Sequence, residues 1–244
     1  MTSSAAPQIV RCHVTSCESL SQCVTRLWLR GPDSLEYQPG QYLEIKVQAA
    51  GVERWLPFSI ANACTHDGTL ELHIQFQTGS DALAALKAQL EGDGPITVNL
   101  PKGGCVLQRD DQRPLLLVAA ATGMAQMKAI AEAALQHHPQ RPVALWWGGR
   151  TPEDLYLHSE LMQWAASEPA LTYFPVTEAL GECDIGGVVA RIDKALVQQV
   201  RQHRHYSIFL SGSPGMVYSV LDSLAAIEPM TEHVFSDVFS YAPR

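Results

Sequence analysis

Three short loops rich in glycine and other small residues are the first candidates for chemistry. They span residues 119–124, 147–151 and 211–216, and each follows a short apolar run. Small residues let the backbone approach a ligand, and the free N–H groups at the start of a following helix favour a phosphate. Any one loop is also typical of an ordinary turn between a strand and a helix. Three of them after successive apolar runs indicate a dinucleotide site, to which we assign Thr122, Gly123, Gly149, Arg150, Gly212, Ser213, Pro214 and Met216.

A fourth segment, residues 54–62, combines an aromatic ring with a hydroxyl group. Phe58 offers a flat apolar face, and the hydroxyl of Ser59 can both donate and accept a hydrogen bond. A flavin ring needs an aromatic surface for stacking and a hydrogen bond at its redox edge. The same segment is typical of an edge strand with Phe58 in the core and Ser59 in a turn. Taken alone, the segment favours this second interpretation.

The first half of the sequence, up to about residue 107, alternates apolar and polar residues in short runs separated by turns. The runs cover residues 9–14, 24–29, 42–47, 70–76 and 96–100. This spacing predicts an antiparallel sandwich or barrel. One helix is predicted at 82–90, with Ser80 or Asp81 as its cap and Gly92 just past its end.

The second half has continuous apolar runs at 115–120, 143–147, 171–176 and 207–210, and a last short strand at 234–239. Helical stretches at 124–136, 152–166, 192–202 and 214–226 alternate with these strands. This order predicts a parallel sheet with helices on both faces. Such sheets bind ligands beyond the carboxyl ends of their strands, where the three loops lie. Because the polar stretch at 108–112 separates the halves, we expect one domain at 1–110 and another at 111–244.

Composition and charge exclude several classes of protein. The chain has 244 residues, of which 46% are hydrophobic and 17% charged, and its net charge is −8. Nucleic acids bind to basic surfaces, so we expect no nucleic-acid partner. No apolar run approaches the roughly 20 residues of a membrane span. The first ten residues lack the basic and apolar regions of a secretory signal, so we expect a cytoplasmic protein without a membrane partner.

The six cysteines are scattered and form no CxxC pair. The spacing of Cys12, Cys17 and Cys23 does not fit a plant-type iron–sulfur site. We therefore expect free thiols and no metal.

Seven short motifs occur in a fixed order along almost the whole chain. They are PGQYL at 39–43, PFSIA at 57–61, ELHI at 71–74, TG at 122–123, WWGGR at 146–150, SGSPGM at 211–216 and FSDVF at 235–239. Together they resemble the motifs of the ferredoxin–NADP⁺ reductase superfamily, most closely those of bacterial NAD(P)H–flavin reductases.

The resemblance implies a fold, a reaction and a set of site residues. The fold is an N-terminal six-stranded antiparallel β-barrel for a flavin (FAD or FMN) and a C-terminal α/β parallel-sheet domain for NADH or NADPH. Hydride passes from nicotinamide C4 to flavin N5 in the cleft between them, and the flavin is either a held cofactor or a dissociable substrate. The implied catalytic residues are Ser59, near flavin N5, and Thr122, beside the nicotinamide with Gly123. The implied flavin contacts are Arg54, Pro57, Phe58, Ser59, Ile60 and Ala61, and those to the dinucleotide include Arg150, Gly212 and Met216.

Two positions depart from the family pattern. The motif carries a basic residue three positions before the serine, which is Leu56 here, and Arg54 reaches the flavin phosphate only if the strand is bulged or shifted. Loss of a charge-assisted contact lowers flavin affinity by about 1.5–3 kcal/mol, which favours a loosely bound flavin. Ala120 and Ala121 stand in place of two glycines, and their methyl groups would crowd a dinucleotide.

Three functions are consistent with these features. The first is reduction of a free flavin by NAD(P)H. The second is a flavoprotein that passes electrons to a separate protein partner, and the third is a non-catalytic nucleotide-binding member of the family. A colourless protein that oxidises NADH only with added flavin indicates the first, and a yellow purified protein indicates the second. The sequence does not separate NADH from NADPH, because Arg150 suits either a 2′-phosphate or a pyrophosphate.

Overall fold

The first half of the chain forms six antiparallel strands, five of which correspond to the predicted alternating runs. They are β1 (Gln8–Ser19), β2 (Val24–Arg30), β3 (Tyr42–Ala49), β4 (Val52–Ser59), β5 (Thr69–Gln75) and β6 (Ile96–Lys102). Their order in the sheet is β4-β3-β6-β1-β2-β5, and every neighbouring pair is antiparallel. This computed structural model describes residues 6–108, 110–181, 185–200 and 202–244.

The first sheet curls until its edge strands β4 and β5 meet. Ile60 forms a bridge with Leu72, and the N–H of Ala61 donates to the carbonyl of Glu71 at 2.7 Å. The helix α1 (Asp81–Leu90) packs against the curled sheet and is capped by the hydroxyl of Ser80. The interior is filled by aliphatic side chains, among them Leu27, Leu43, Ile45, Leu70 and Val98. The six-stranded antiparallel barrel that the resemblance implies is confirmed, and its strand β4 lies outside the five runs predicted from alternation.

The continuous apolar runs of the second half form a parallel sheet. Its strands are β7 (Leu115–Ala120), β8 (Val143–Gly149), β9 (Leu171–Thr177), β10 (Val188–Val189), β11 (Ser207–Ser211) and β12 (Val234–Phe235), in the order β10-β9-β8-β7-β11-β12. All five neighbouring pairs are parallel. The sequence therefore predicts the α/β class correctly, although it gives no sign of the two-residue strand β10.

Helices cover both faces of the parallel sheet. They are α2 (Met124–His137), α3 (His158–Ser167), α4 (Ile192–Gln199), α5 (Pro214–Ala225) and the short α6 (Val238–Tyr241). Helices α2 and α3 share a core with Trp147, and α4 and α5 share a second core with Trp146 on the opposite face. Trp146 and Trp147 are neighbours in β8 but are buried on opposite faces of the sheet. Because both faces are covered by helices, the strands of this sheet are apolar at successive positions.

One predicted helix is broken in the structure. The stretch 152–166 consists of a 3₁₀ turn at Pro152–Asp154 and then α3, which begins at His158. The carboxylate of Asp154 accepts the backbone N–H groups of Arg150 at 2.8 Å and Thr151 at 3.1 Å. Leu155 lies outside the helical region and is buried in the core, so burial overrides the helical pattern there.

Two other predicted elements, a strand and a helix, are longer than the observed ones. Residues 234–239 pair with β11 only at Val234–Phe235, because Ser236 accepts the N–H of Val238 and the chain turns into α6. The predicted helix 192–202 ends at Gln199, where Val200 becomes extended.

Among the described residues, no helix has both the length and the apolar character needed to cross a membrane.

Candidate active site

A cleft of about 520 Å³ lies between the barrel and the carboxyl edge of the parallel sheet. One wall belongs to strands β3 and β4, and the other to α2, the end of β11 and the segment from Ser236 to Tyr241. The lining residues are Tyr42, Glu44, Pro57, Phe58, Ser59, Gln126, Leu210, Ser211, Gly212, Ser236, Asp237, Val238, Ser240 and Tyr241. The cleft therefore joins the predicted flavin segment to one of the three predicted nucleotide loops.

The barrel wall is a regular strand pair that ends at Ser59. The β3–β4 ladder is unbroken from Tyr42 opposite Ser59 to Ala49 opposite Val52. Ser59 shares the outer face with Pro57 and Tyr42, because side chains alternate along a strand. Within the described part of the chain the Ser59 hydroxyl makes no hydrogen bond, so it is available to a ligand.

Other residues of the predicted flavin segment lie elsewhere. Phe58 lines the cleft and packs against the barrel core with part of its ring. Ile60 and Ala61 are fully buried and close the barrel, so their side chains do not line the cleft. Arg54 is exposed opposite Val47, near the hairpin turn.

The departure at Leu56 is not compensated by a shift of the strand. Leu56 pairs with Ile45 and packs against the barrel core. Because the ladder has no bulge, Arg54 stays two residues away, roughly 7 Å along the strand. The predicted condition for an Arg54–phosphate contact is therefore not met by the backbone.

The nucleotide wall is built from loops in close contact. Thr122 and Gly123 lie in a 3₁₀ turn, Ala121–Gly123, between β7 and α2. A Cβ on Gly123 would lie 2.3 Å from the carbonyl oxygen of Ser211, so only glycine fits. The loops after β7 and β11 therefore touch each other, as neighbouring parallel strands require.

The two alanines that replace glycines differ in their surroundings. Ala120 is extended, and its methyl group lies near the position that a Cβ on Gly212 would take. Ala121 has a φ of 49°, in the left-handed region, and its carbonyl accepts the indole N–H of Trp147 at 3.1 Å. A left-handed alanine costs about 1–2 kcal/mol, so the second alanine strains the loop.

The loop after β8 presents an exposed guanidinium group. The Arg150 side chain is 88% exposed, and its Nε lies 4.0 Å from Asp154 Oδ2. Gly149 lies close against Asp154, whose side chain holds the turn. Arg150 does not line the cleft; it lies at the same sheet edge, just after β8, the strand that pairs with β7.

The loop after β11 begins a helix. Ser213 caps α5 by accepting the N–H of Met216, and Pro214 occupies the first turn. A Cβ on Gly212 would lie 2.5 Å from Met216 Cε, so Met216 packs over this glycine. Only Gly212 of these four lines the cleft itself.

Several cleft residues were not in the predicted site. Gln126 is buried on α2, and its amide nitrogen donates to Gly40 O at 2.6 Å and to Asp237 Oδ2 at 2.8 Å. Burial raises the pKa of Asp237, against a lowering by the hydrogen bond from Gln126. Tyr42 lies in the PGQYL motif and Asp237 in the FSDVF motif, so the motifs could have indicated that both belong to the site. No sequence motif contains Gln126.

Two family profiles match the chain and divide it in the same way as the fold. One is described as "Oxidoreductase FAD-binding domain" and matches residues 11–106. The other is described as "Oxidoreductase NAD-binding domain" and matches residues 117–222.

Similar proteins include named reductases. An NAD(P)H-flavin reductase of Aliivibrio fischeri is 32% identical over 174 residues, covering 69% of this chain and 72% of the relative. An NAD(P)H-flavin reductase of Vibrio harveyi is 29% identical over 239 residues, covering 95% and 99%. Reductase component 1 of a terephthalate 1,2-dioxygenase from Comamonas sp is 29% identical over 208 residues, covering 85% and 61%.

A solved structure extends the comparison. The Amycolatopsis cytochrome P450 reductase GcoB superimposes with a TM-score of 0.85 at 26% identity, over 95% of this chain and 69% of that one. The barrel, the parallel sheet, the cleft between them and these matches lead to one conclusion: this chain belongs to the ferredoxin reductase-like family of NAD(P)H–flavin reductases.

Proposed function

We propose that this protein is an NAD(P)H-dependent flavin reductase that takes flavin as a dissociable substrate. The observation that carries the proposal is the cleft, in which Phe58 and Ser59 of the barrel face Gly212 and Asp237 at the carboxyl edge of the parallel sheet. NAD(P)H supplies a hydride from nicotinamide C4 to flavin N5, and a solvent proton completes the reduced flavin.

The protein's part in this reaction is alignment. Ser59 offers a free hydroxyl to the redox edge of the flavin, and Phe58 offers an apolar surface in the same cleft. In this proposal Thr122 and Gly123, in the turn that precedes α2, lie beside the nicotinamide. Holding two reactants in register supplies a large share of the rate in such reactions, since the chemistry belongs to the cofactors.

Release of the flavin is supported by the surroundings of Leu56. With Leu56 packed on the barrel and Arg54 near the hairpin turn, neither residue supplies a charge to a flavin phosphate at the usual position. The missing charge-assisted contact is worth about 1.5–3 kcal/mol. A flavin held this weakly exchanges with solution.

The relatives support a second candidate. Two of the matched proteins are named as reductases of a dioxygenase and of a cytochrome P450. This chain spans 61% of the first and 69% of the second. Transfer of electrons from a retained flavin to a separate protein is therefore the alternative to release of reduced flavin.

We also place the division between the domains at residues 110 and 111. The two profile matches end at residue 106 and begin at residue 117, which supports a boundary in the polar stretch between them.

Loss of NADH absorbance by the purified protein, with and without added FMN, tests the function. Turnover that needs added FMN is expected for a flavin reductase. A yellow protein that oxidises NADH only when an electron-accepting protein is present would favour the second candidate. A protein without turnover in any of these conditions would be a non-catalytic member of the family.

A further inference from the structure

A largely buried lysine on α2 connects the two domains. The ammonium group of Lys128, on α2, donates to Ala61 O at 3.1 Å, Glu71 Oε2 at 2.7 Å and Glu132 Oε1 at 2.6 Å. An ammonium group has three N–H bonds, so all three are used. The Lys128 side chain is 14% exposed and that of Glu71 is 1% exposed.

One barrel partner of this lysine, Ala61, lies within the predicted flavin segment. Ala61 is two residues beyond Ser59, and its own N–H donates to the carbonyl of Glu71. Glu132, one turn beyond Lys128, accepts the N–H of Ala63 at 3.0 Å. Two residues of α2 therefore hold the backbone that follows Ser59 at two points.

The other end of α2 carries the predicted nicotinamide loop. The helix begins at Met124, directly after Thr122 and Gly123. Lys128 lies six residues after Thr122, on the order of 9 Å along the axis. A single buried helix thus touches the nicotinamide side at its start and the flavin strand near its middle.

The charged state of Lys128 is maintained by its neighbours. Burial alone disfavours the ammonium, but the carboxylates of Glu132 and Glu71 outweigh burial and raise the pKa of Lys128. Removal of the ammonium would leave the buried carboxylate of Glu71 with less compensation.

We propose that Lys128 is a positioning residue for hydride transfer, which fixes the Ser59 strand against the Thr122 loop through its contact with Ala61. The proposal rests on the proposed flavin reductase function. Lys128 does not line the cleft, so it acts through the backbone and not on either reactant. Displacement by about 1 Å of groups that hold reactants in register lowers rates by up to roughly 100-fold.

Arg26 provides a matched control. Its Nε lies 3.1 Å from the other oxygen of Glu71, as an ion pair without hydrogen-bond geometry, and its Nη2 reaches Glu160 on α3 at 2.6 Å. Arg26 therefore also pairs with Glu71 and bridges the barrel to the second domain. Unlike Lys128, it has no contact with residues 59–63 among the described interactions.

The experiment compares Lys128→Met, Lys128→Arg and Arg26→Met in single-turnover reduction of FMN by NADH and by NADH deuterated at the transferred position. We expect Lys128→Met to slow hydride transfer by roughly 10- to 100-fold with a larger deuterium isotope effect, and with the Kd for NADH changed less than about twofold. Lys128→Arg should restore part of the rate. Arg26→Met should lower the Tm and leave the rate within about twofold of wild type.

A folded Lys128→Met protein with the wild-type rate would overturn the positioning role, and so would equal slowing by Arg26→Met. If Lys128→Met does not fold, Glu132→Ala releases Ala63 and leaves the Lys128–Glu71 pair; it should slow hydride transfer by about threefold or more, and a wild-type rate would overturn the proposal. Lack of FMN-dependent turnover in the wild-type protein would instead refute the proposed function on which the inference rests.

Discussion

The two walls of the cleft are built in different ways. The barrel wall is one continuous strand pair, in which Ser59 takes its place from an unbroken ladder of eight residue pairs. The nucleotide wall consists of loops whose backbones touch, with Gly123 against Ser211 and Ala121 in a left-handed conformation. Changes in the barrel wall should therefore alter ligand chemistry, whereas changes in the nucleotide wall should alter stability first.

The largest expected effect lies in the barrel wall. Ser59→Ala removes a hydroxyl that makes no hydrogen bond to the residues that the structure describes, so hydride transfer should fall by about 100-fold while the Tm stays within the error of the measurement. Stopped-flow reduction of FMN by NADH measures the rate. Ser59→Thr keeps a hydroxyl and should recover part of it. Unchanged turnover of Ser59→Ala would show that the Ser59 hydroxyl has no role in hydride transfer.

Substitution in the nucleotide wall should act on folding. The Cβ of Gly123→Ala would meet the backbone of Ser211, which cannot move aside as a side chain can, so the free energy of unfolding should fall by about 2 kcal/mol. Urea denaturation measures this loss. Gly215→Ala is the control, because a Cβ at Gly215 has no heavy atom within 4 Å. Equal stability of the two variants would contradict the close approach of the loops.

A charge added to the barrel wall should change ligand preference. Leu56→Arg should tighten binding of FMN relative to riboflavin by about tenfold, since a charge-assisted contact is worth about 1.5–3 kcal/mol and Arg can keep its head in solvent. Fluorescence titration of both flavins measures the ratio. Arg54→Gln should leave the ratio unchanged, because the ladder holds Arg54 away from that position. If Leu56→Arg binds FMN and riboflavin with equal affinity, the phosphate of FMN does not lie near residue 56.

The smallest expected effect concerns the strained alanine. Ala121→Gly should raise the free energy of unfolding by about 0.5 kcal/mol, because relief of the left-handed conformation exceeds the added chain entropy. Ala120→Gly is the matched control: its backbone is extended, so glycine should cost about 0.5–1 kcal/mol there. Thermal denaturation should therefore show changes of opposite sign in the free energy of unfolding for Ala121→Gly and Ala120→Gly.

The sequence was informative wherever a property is local. Alternation and continuous apolar runs predicted both sheets, because burial on one or two faces is set by each strand's own residues. Phe58 and Ser59 both line the cleft, because they are neighbours at the end of one strand. The assigned roles of Ser59, Thr122 and Arg150 stay predictions.

Features that depend on distant partners were missed. The helix predicted at 152–166 gave way to a turn, because the Asp154 carboxylate holds the preceding backbone N–H groups and Leu155 is drawn into the core. Gln126 joins Gly40 and Asp237, which lie 86 and 111 residues away in the chain. Nothing in a local pattern marks such a residue.

The hydrogen bond from the Trp147 indole to Ala121 makes movement of the loop after β7 detectable by tryptophan fluorescence. The ring is buried and makes a T-shaped contact with Tyr156, and its N–H donates to the carbonyl of the strained Ala121 in the turn beside the cleft. Any ligand that moves this turn changes the polarity around one fluorophore at a known place. Emission from Trp147, isolated by replacing the other four tryptophans with phenylalanine, would therefore follow dinucleotide arrival in real time without an attached dye.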